Sequence, residues 1–196
     1  VIGTYTNFSA PQARDLQSDI YGGMLSWSHE FSETITASLS AGPRFVTSSQ
    51  AIAGSTVRGS QTVGVGSVML RKSWDDASIQ IDAGREVNPS GFGLLLQTDR
   101  FGVTLSKNLS ERLTASVNAT VLLASSIATT DLSTTFPDSR YVNMTPHLTW
   151  KISQWWAVDV TYAYARREVD SINQYAISNA ATVMLTYYPP KFTVGR

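Results

Sequence analysis

Few residues in this sequence have the types and spacing that catalysis or metal binding requires. The chain has two histidines, His29 and His147, and no cysteine, so thiol chemistry, disulfide bonds and cysteine-ligated metal sites are excluded. Neither histidine stands at a metal-ligand spacing from a second ligand, and no G-x-S-x-G motif marks a nucleophilic serine. We therefore predict no enzyme activity, no catalytic residue, no metal site and no cofactor.

A second group of candidates consists of single charged or imidazole side chains set among Ser, Thr, Asn and Gln. They occupy the polar positions of segments in which polar and apolar residues alternate, as Asp159 does between Val158 and Val160. Alternation with a period of two is typical of a β-strand with one apolar face. The candidates on the polar positions are Glu30, Arg44, Asp82, Arg100, His147, Lys151, Asp159 and Arg167.

The elements that must position these side chains are strands. Period-two alternation recurs along most of the chain and helical spacing persists nowhere, which predicts an all-β fold. Tight turns near "FSET", "SWDD", "LSER" and "ISQW" alternate with longer loops, and the weak repeat of "FSETITASLS" in "LSERLTASVN" supports a hairpin unit. We predict an antiparallel up-and-down arrangement of about ten strands in a single domain, 1–196, with strands at 1–8, 19–31, 34–47, 56–73, 77–87, 92–107, 112–127, 140–153, 155–168 and 175–188.

Composition narrows the class of protein. The 15 basic and 15 acidic residues cancel, so the basic excess of a nucleic-acid-binding protein is missing. Charged residues make up 15% of the chain, against about 25% in an average soluble domain. The chain has no run of about 18 apolar residues, so no membrane helix is predicted. The segment "VIGTYTNF" does not resemble a signal peptide, so we expect a mature or truncated form.

Three features distinguish the predicted sheet from one that faces water. Its polar positions are mostly hydroxyls and amides, its strands are long, and aromatic residues gather at the strand ends. A transmembrane β-barrel needs a polar interior and an apolar outer band flanked by aromatic girdles. We therefore predict that the charged candidates face a lumen and that membrane-interface aromatics are Trp27, Phe31, Phe45, Trp74, Trp150, Trp156, Tyr162 and Tyr164.

The stretch "VDVTYAYARREVDSINQYAISNAATVMLTYYP" resembles strands of Gram-negative outer-membrane β-barrels, and more loosely those of porin-type and exopolysaccharide-associated barrels. The general resemblance covers nearly the whole chain, and the narrower one rests on residues 155–189. It implies a protein of the bacterial outer membrane that contacts the lipid bilayer and works as a pore or with periplasmic or envelope partners in secretion. The terminal strand of such barrels usually ends in an aromatic residue, whereas Phe192 lies four residues before the end here. The barrel is therefore either closed by this chain alone or part of a larger assembly.

The predicted function is non-enzymatic passage across, or scaffolding in, the outer membrane. The alternatives are a secreted β-sandwich or carbohydrate-binding module, a closed structural barrel, and an outer-membrane hydrolase. An open lumen and one plugged by paired charges are both compatible with about ten strands. Arg167 is expected at the loop-side mouth, where its side chain would either favour the passage of anions or be part of a solvated rim.

Two details conflict with regular strands. Pro43 and Pro146 fall on apolar positions inside predicted strands, where each implies an edge, a bulge or a misplaced strand. In segment 56–73, Val63 and Val65 have one parity and Val68 and Leu70 the other, which predicts a β-bulge between the two pairs.

Overall fold

Ten antiparallel strands form one sheet in the computed structural model, and each strand pairs with the next along the chain. The structure describes residues 1–10, 16–52, 55–89, 95–127, 138–170 and 174–189, which leaves the position of Phe192 outside the described residues. No helix in these ranges is long and apolar enough to cross a membrane. The predicted all-β, up-and-down fold class is confirmed, with strands β1 (Ile2–Ala10), β2 (Leu16–Ser32), β3 (Ile35–Ile52), β4 (Ser55–Ser73), β5 (Ala77–Pro89), β6 (Leu95–Ser110), β7 (Leu113–Ser126), β8 (Ser139–Lys151), β9 (Trp156–Val169) and β10 (Gln174–Tyr187).

The hydrogen-bond register assigns every strand residue to one of two faces, because directly paired residues project to the same side of a sheet. One row runs from Leu39 through Val68 to Phe101, and we call this side the apolar face. The opposite side includes Ser40 and its partner Ser67, and we call it the polar face. The alternation seen in the sequence therefore corresponds to two chemically different surfaces of one sheet.

Burial on the two faces is reversed relative to a soluble protein. On the apolar face, Leu25 is 67% exposed, Leu39 50% and Val68 47%. On the polar face, Ser18 and Ser48 are 0% and 1% exposed. Water-soluble domains place their large aliphatic side chains in the interior, so a broad exposed apolar face indicates a surface that something other than water covers.

The sheet is open in the described residues, since no pairing joins β1 to β10. β1 begins at the short-turn end of the sheet and runs toward the loops, whereas β10 runs from the loops toward the short-turn end. The two edge strands are therefore antiparallel in direction. Nearly every residue of β10 is exposed, as expected for a strand whose outer edge has no neighbour.

Pro43 and Pro146 both lie inside regular strands, and neither is at a sheet edge or a bulge. Pro43 pairs with Gly64 of β4, while the pairing of β3 with β2 skips two residues between Gly22 and Leu25. Pro146 pairs with Val117, while the pairing of β8 with β9 skips Thr145 and Pro146. Because a proline has no N–H to donate to a carbonyl of one neighbouring strand, each proline interrupts the hydrogen-bond ladder on that side only.

The predicted bulge in β4 is wrong. Pairing of β3 with β4 is continuous from Ile35↔Lys72 to Ile52↔Ser55, and the register shifts lie instead beside two short turns, at Glu30/Ser32 and Asn108/Ser110. Val63 and Val65 project from the polar face and are buried, at 6% and 7% exposure. The loop-side half of the polar face thus contains aliphatic residues, which a purely polar pattern did not anticipate.

Two other aliphatic side chains of the polar face have a packing partner at the loop side. Ile20 and Val46 of the polar face form a buried cluster with Leu95, and Val87 packs against it. Val87 and Leu95 have the strand parity of the apolar face of β5 and β6. The loop-side end of the β5–β6 hairpin therefore lies against the polar face of β2 and β3, and β4 pairs with β5 only from Gly66 to Ser73.

Candidate functional site

All predicted lumen residues project from one side of the sheet. The register puts them on the polar face, together with the small hydroxyl residues of each strand, and their orientation toward a lumen stays a prediction. The residues are Glu30, Arg44, Asp82, Arg100, His147, Lys151, Asp159 and Arg167.

Hydroxyl and amide groups on the polar face hydrogen-bond to one another across strands. The Ser40 and Ser67 hydroxyls are 2.8 Å apart, and the Asn118 side-chain amide donates to the Thr104 hydroxyl over 2.9 Å. Such groups both donate and accept hydrogen bonds. This part of the face is therefore suited to water and to uncharged polar solutes, and it is positioned by long regular strands rather than by loops.

Asp82 and Arg100 form a cross-strand ion pair on the polar face. The Arg100 Nε lies 3.5 Å from an oxygen of the Asp82 carboxylate, and more than half of the Arg100 side chain is exposed. The strand partner of Asp82 is Gly102, which is buried beneath the carboxylate. The absence of a side chain at Gly102 gives the carboxylate room to lie flat against β6.

Asp159 is the centre of a second polar group. The Thr149 hydroxyl donates to its carboxylate over 2.6 Å, and the His147 Nε2 is 3.2 Å from the same oxygen. Ser116 is the strand partner of His147, yet in the described residues no hydrogen bond joins the two. Because the His147 Nε2 is already directed to the carboxylate and to the Thr149 hydroxyl, the group does not have the geometry of a hydrolytic triad.

Arg44 is a charged residue of the polar face that has an open side. Its guanidinium contacts the Met24 sulfur at 3.5 Å, and no ion pair to it occurs in the described part of the chain. It lines a cavity of about 230 Å³ at the point where β4 and β5 separate, opposite Arg85 and Glu86. Arg85 is held by the Asp99 carboxylate, with Nη2–Oδ2 at 2.8 Å, so Arg44 is the cation of this cavity that remains available to a solute.

Sequence reasoning missed two charged residues of the polar face. Arg71 of β4 is paired with Thr36 and Gln80, and Glu86 of β5 lies at the loop side with Asn88 donating to it over 3.1 Å. Arg71 has the opposite parity to Val68 and Leu70, so it occupies a polar position of its segment. Counting positions from Val68 and Leu70 would have identified it.

The predicted interface aromatics lie on the apolar face or in the adjoining turns. Beside one short turn, the Trp27 ring stacks on His29, which contacts Phe31 edge-to-face. Trp156 packs on Tyr187 with ring centroids 4.8 Å apart. Their contact with a membrane interface stays a prediction. The remaining members of the predicted set, mostly exposed, are Phe45, Trp74, Trp150, Tyr162 and Tyr164.

No protein-family model matches the chain, and no match was found among curated protein sequences. Among solved structures, the chain is similar to the outer membrane channel DcaP of Acinetobacter baumannii. The TM-score is 0.44 and the sequence identity 12%, over 94% of this chain and 70% of that one.

Proposed function

We propose that this chain forms the wall of an outer-membrane β-barrel that acts as a pore or as the barrel component of an envelope transport or secretion system. The observation that supports this most is the reversed burial of the two faces. Aliphatic side chains of the apolar face such as Leu25, Leu39 and Val183 are 50% exposed or more, while Ser18 and Ser48 are buried.

A bilayer is the environment that makes this arrangement stable. Covering one large aliphatic side chain contributes about 1.5–3 kcal/mol relative to leaving it in water, and the apolar face has many of them. The rival soluble β-sandwich would cover the same face with a second sheet. The described residues form one sheet, and the apolar face has no covering layer there.

Strand length and connectivity also suit a membrane barrel. A spanning strand needs roughly 9–11 residues at a tilt near 45°. Strands β2 to β10 have 13 to 19 residues, enough to cross and to extend beyond the bilayer on the loop side. Backbone groups at an open edge are costly in hydrocarbon, so the edges at β1 and β10 must be paired with each other or with another chain in the membrane.

In this proposal the polar face lines the passage. Its hydroxyls and amides would hydrate the interior, and its charges of both signs would give weak ion preference if water fills it. If the ion pairs and the Ile20–Val46–Leu95 cluster fill the interior, the barrel would be closed and structural. In the secretion variant, a periplasmic or envelope protein would bind the barrel.

Membrane insertion and conductance test the proposal. The protein should require detergent for extraction, run faster on gels when unheated, and produce discrete current steps in planar bilayers. A freely soluble monomer with a cooperative unfolding transition in water would refute the barrel. Insertion without any current would retain the barrel and refute the pore.

A further inference from the structure

We propose that a trough on the apolar face, at the short-turn ends of β5, β6 and β7, binds one anionic phospholipid. The inference rests on the proposed membrane barrel, because the trough faces lipid only if the apolar face does. The ligand class follows from the shape of the trough and from the two lysines beside it.

Small side chains create the trough. The register aligns Ala77, Lys107 and Ala115 in one row across the three strands, so the lysine stands between two alanines. The next row consists of the larger Ile79, Leu105 and Val117. The resulting depression has a volume of about 370 Å³, within the range of roughly 300–1,000 Å³ typical of small-molecule sites.

Trp74 closes the trough at the short-turn rim. Its backbone N–H donates to the Ala77 carbonyl over 2.7 Å, which fixes the turn, and its ring is half-exposed. The Lys72 ammonium lies 4.8 Å from the centre of this ring, a cation–π geometry. A tryptophan beside an ammonium group at a strand end is the arrangement expected where hydrocarbon meets headgroups.

The two lysines supply positive charge without internal neutralisation. Within the described residues, no carboxylate forms an ion pair with Lys72 or Lys107. The nearest acidic residues in the chain, Asp75 and Asp76 in the turn and Glu111 in the next turn, are exposed. Each lysine can extend its ammonium to the membrane surface while its methylenes cover apolar side chains.

An anionic phospholipid matches both parts of this surface. One acyl chain would occupy the trough over Ala77 and Ala115, and the phosphate would lie between the two ammonium groups. A zwitterionic phospholipid offers the same acyl chain but no net charge, so its binding should be weaker. Electrostatic attraction to two lysines predicts a preference of roughly tenfold or more for the anionic lipid.

Native mass spectrometry of the full chain refolded in neutral detergent tests this, with phosphatidylglycerol and phosphatidylcholine of identical acyl chains as probes. The parent should bind one phosphatidylglycerol in preference to phosphatidylcholine. The double variant Lys72→Gln/Lys107→Gln should lose most of that preference. Arg71→Gln is the matched control, because Arg71 adjoins Lys72 in the chain but projects from the polar face.

A second pair of variants tests the trough itself. Ala115→Leu should fill it and weaken the binding of both lipids several-fold, whereas Ala119→Leu, on the same face two rows further along, should not. Equal affinity of the parent for both lipids, or a preference that survives the double lysine variant, would overturn the inference. If the double variant does not fold, the parent is measured at raised salt, which should reduce its preference for phosphatidylglycerol. An unchanged preference at raised salt would also overturn the inference. Failure of the parent to enter detergent or membrane would instead refute the proposed barrel.

Discussion

The carboxylate of Asp82 lies over its strand partner Gly102 so closely that a Cβ added to the glycine would be 2.8 Å from both carboxylate oxygens. The obstruction is the end of a side chain, not backbone, so Gly102→Ala should still fold with Asp82 displaced. We expect the destabilisation by Gly102→Ala to shrink by about 0.5–3 kcal/mol in an Asp82→Ala background, because contacting residues are coupled. Urea unfolding in lipid vesicles measures this double-mutant cycle, and strict additivity would disprove the contact.

Gly42 is expected to be far less tolerant. A Cβ at Gly42 would collide with the backbone carbonyl of Gly23, where Pro43 interrupts the ladder between β2 and β3. Neither strand can move without breaking neighbouring hydrogen bonds, so Gly42→Ala should cost about 1–3 kcal/mol or prevent insertion. Gly64→Ala is the matched control, since Gly64 of β4 pairs with Pro43 and a Cβ added to it would have nothing within 4 Å. Equal unfolding midpoints for the two variants would contradict the close approach.

Val160 and Val46 should respond oppositely to added bulk. Val160 lies on the apolar face at 39% exposure, whereas Val46 is 1% exposed in the loop-side cluster. Lipid accommodates an extra methylene, so Val160→Leu should leave the unfolding midpoint nearly unchanged, while Val46→Leu should lose about 1–3 kcal/mol by overpacking. Val160→Arg should cost about 2–4 kcal/mol if this position lies near the bilayer midplane. A reversed order of the two leucine variants would mean that the apolar face is packed against protein.

Much of this architecture could be predicted because strand parity is a local property. Asp159 and His147 share a face whatever the exact strand boundaries are, provided that no bulge intervenes. Parity failed in β4, where Val63 and Val65 are buried on the polar face. Ile20 and Val46 of the same face are buried in a cluster with Leu95, which lies far from both in sequence. A period-two pattern contains no information about such a contact.

The contacts between individual side chains could not be predicted from the sequence either. That Asp159 accepts from Thr149, and that Asp82 lies near Arg100, depends on the relative register of neighbouring strands. Register is determined by pairing along whole strands and by the turns that join them. The prolines show the same limit, because a proline interrupts the ladder on only one side, and which side that is depends on the register of the strand pair.

Closure of the sheet can be tested by cross-linking, since the chain has no native cysteine. Thr6 of β1 and Ala176, Ser178, Ala180 and Thr182 of β10 all project from the polar face. Thr6→Cys combined with each β10 cysteine in turn should give one pair that oxidises to an intramolecular disulfide, because paired strands bring Cα atoms within about 4.4–6.8 Å. Disulfide-linked dimers would instead show that a second copy completes the wall, and the absence of any cross-link would show that these edges do not meet.

The charge of the polar face should determine ion preference if that face lines a water-filled passage. Asp159 places a carboxylate on β9 beside Thr149, and Arg44 places a guanidinium without a carboxylate partner among the described residues on β3. Asp159→Asn removes negative charge and should shift the reversal potential in a salt gradient toward anions, while Arg44→Gln should shift it toward cations. In a silent parent barrel, Asp159→Asn should instead open a conductance by removing an attraction that fills the interior.

Asp19→Asn is the control for both variants. Asp19 lies on the parity of the apolar face, where Tyr5 and Asn7 donate to its carboxylate, so its neutralisation should leave the reversal potential unchanged. Gel mobility of unheated samples establishes that each variant is inserted before currents are compared. If Asp159→Asn and Arg44→Gln insert normally and neither alters conductance nor reversal potential, the polar face does not line a passage. If both variants fail to fold while Asp19→Asn folds, these side chains belong to a packed core, and the assignment of inside and outside must be reversed.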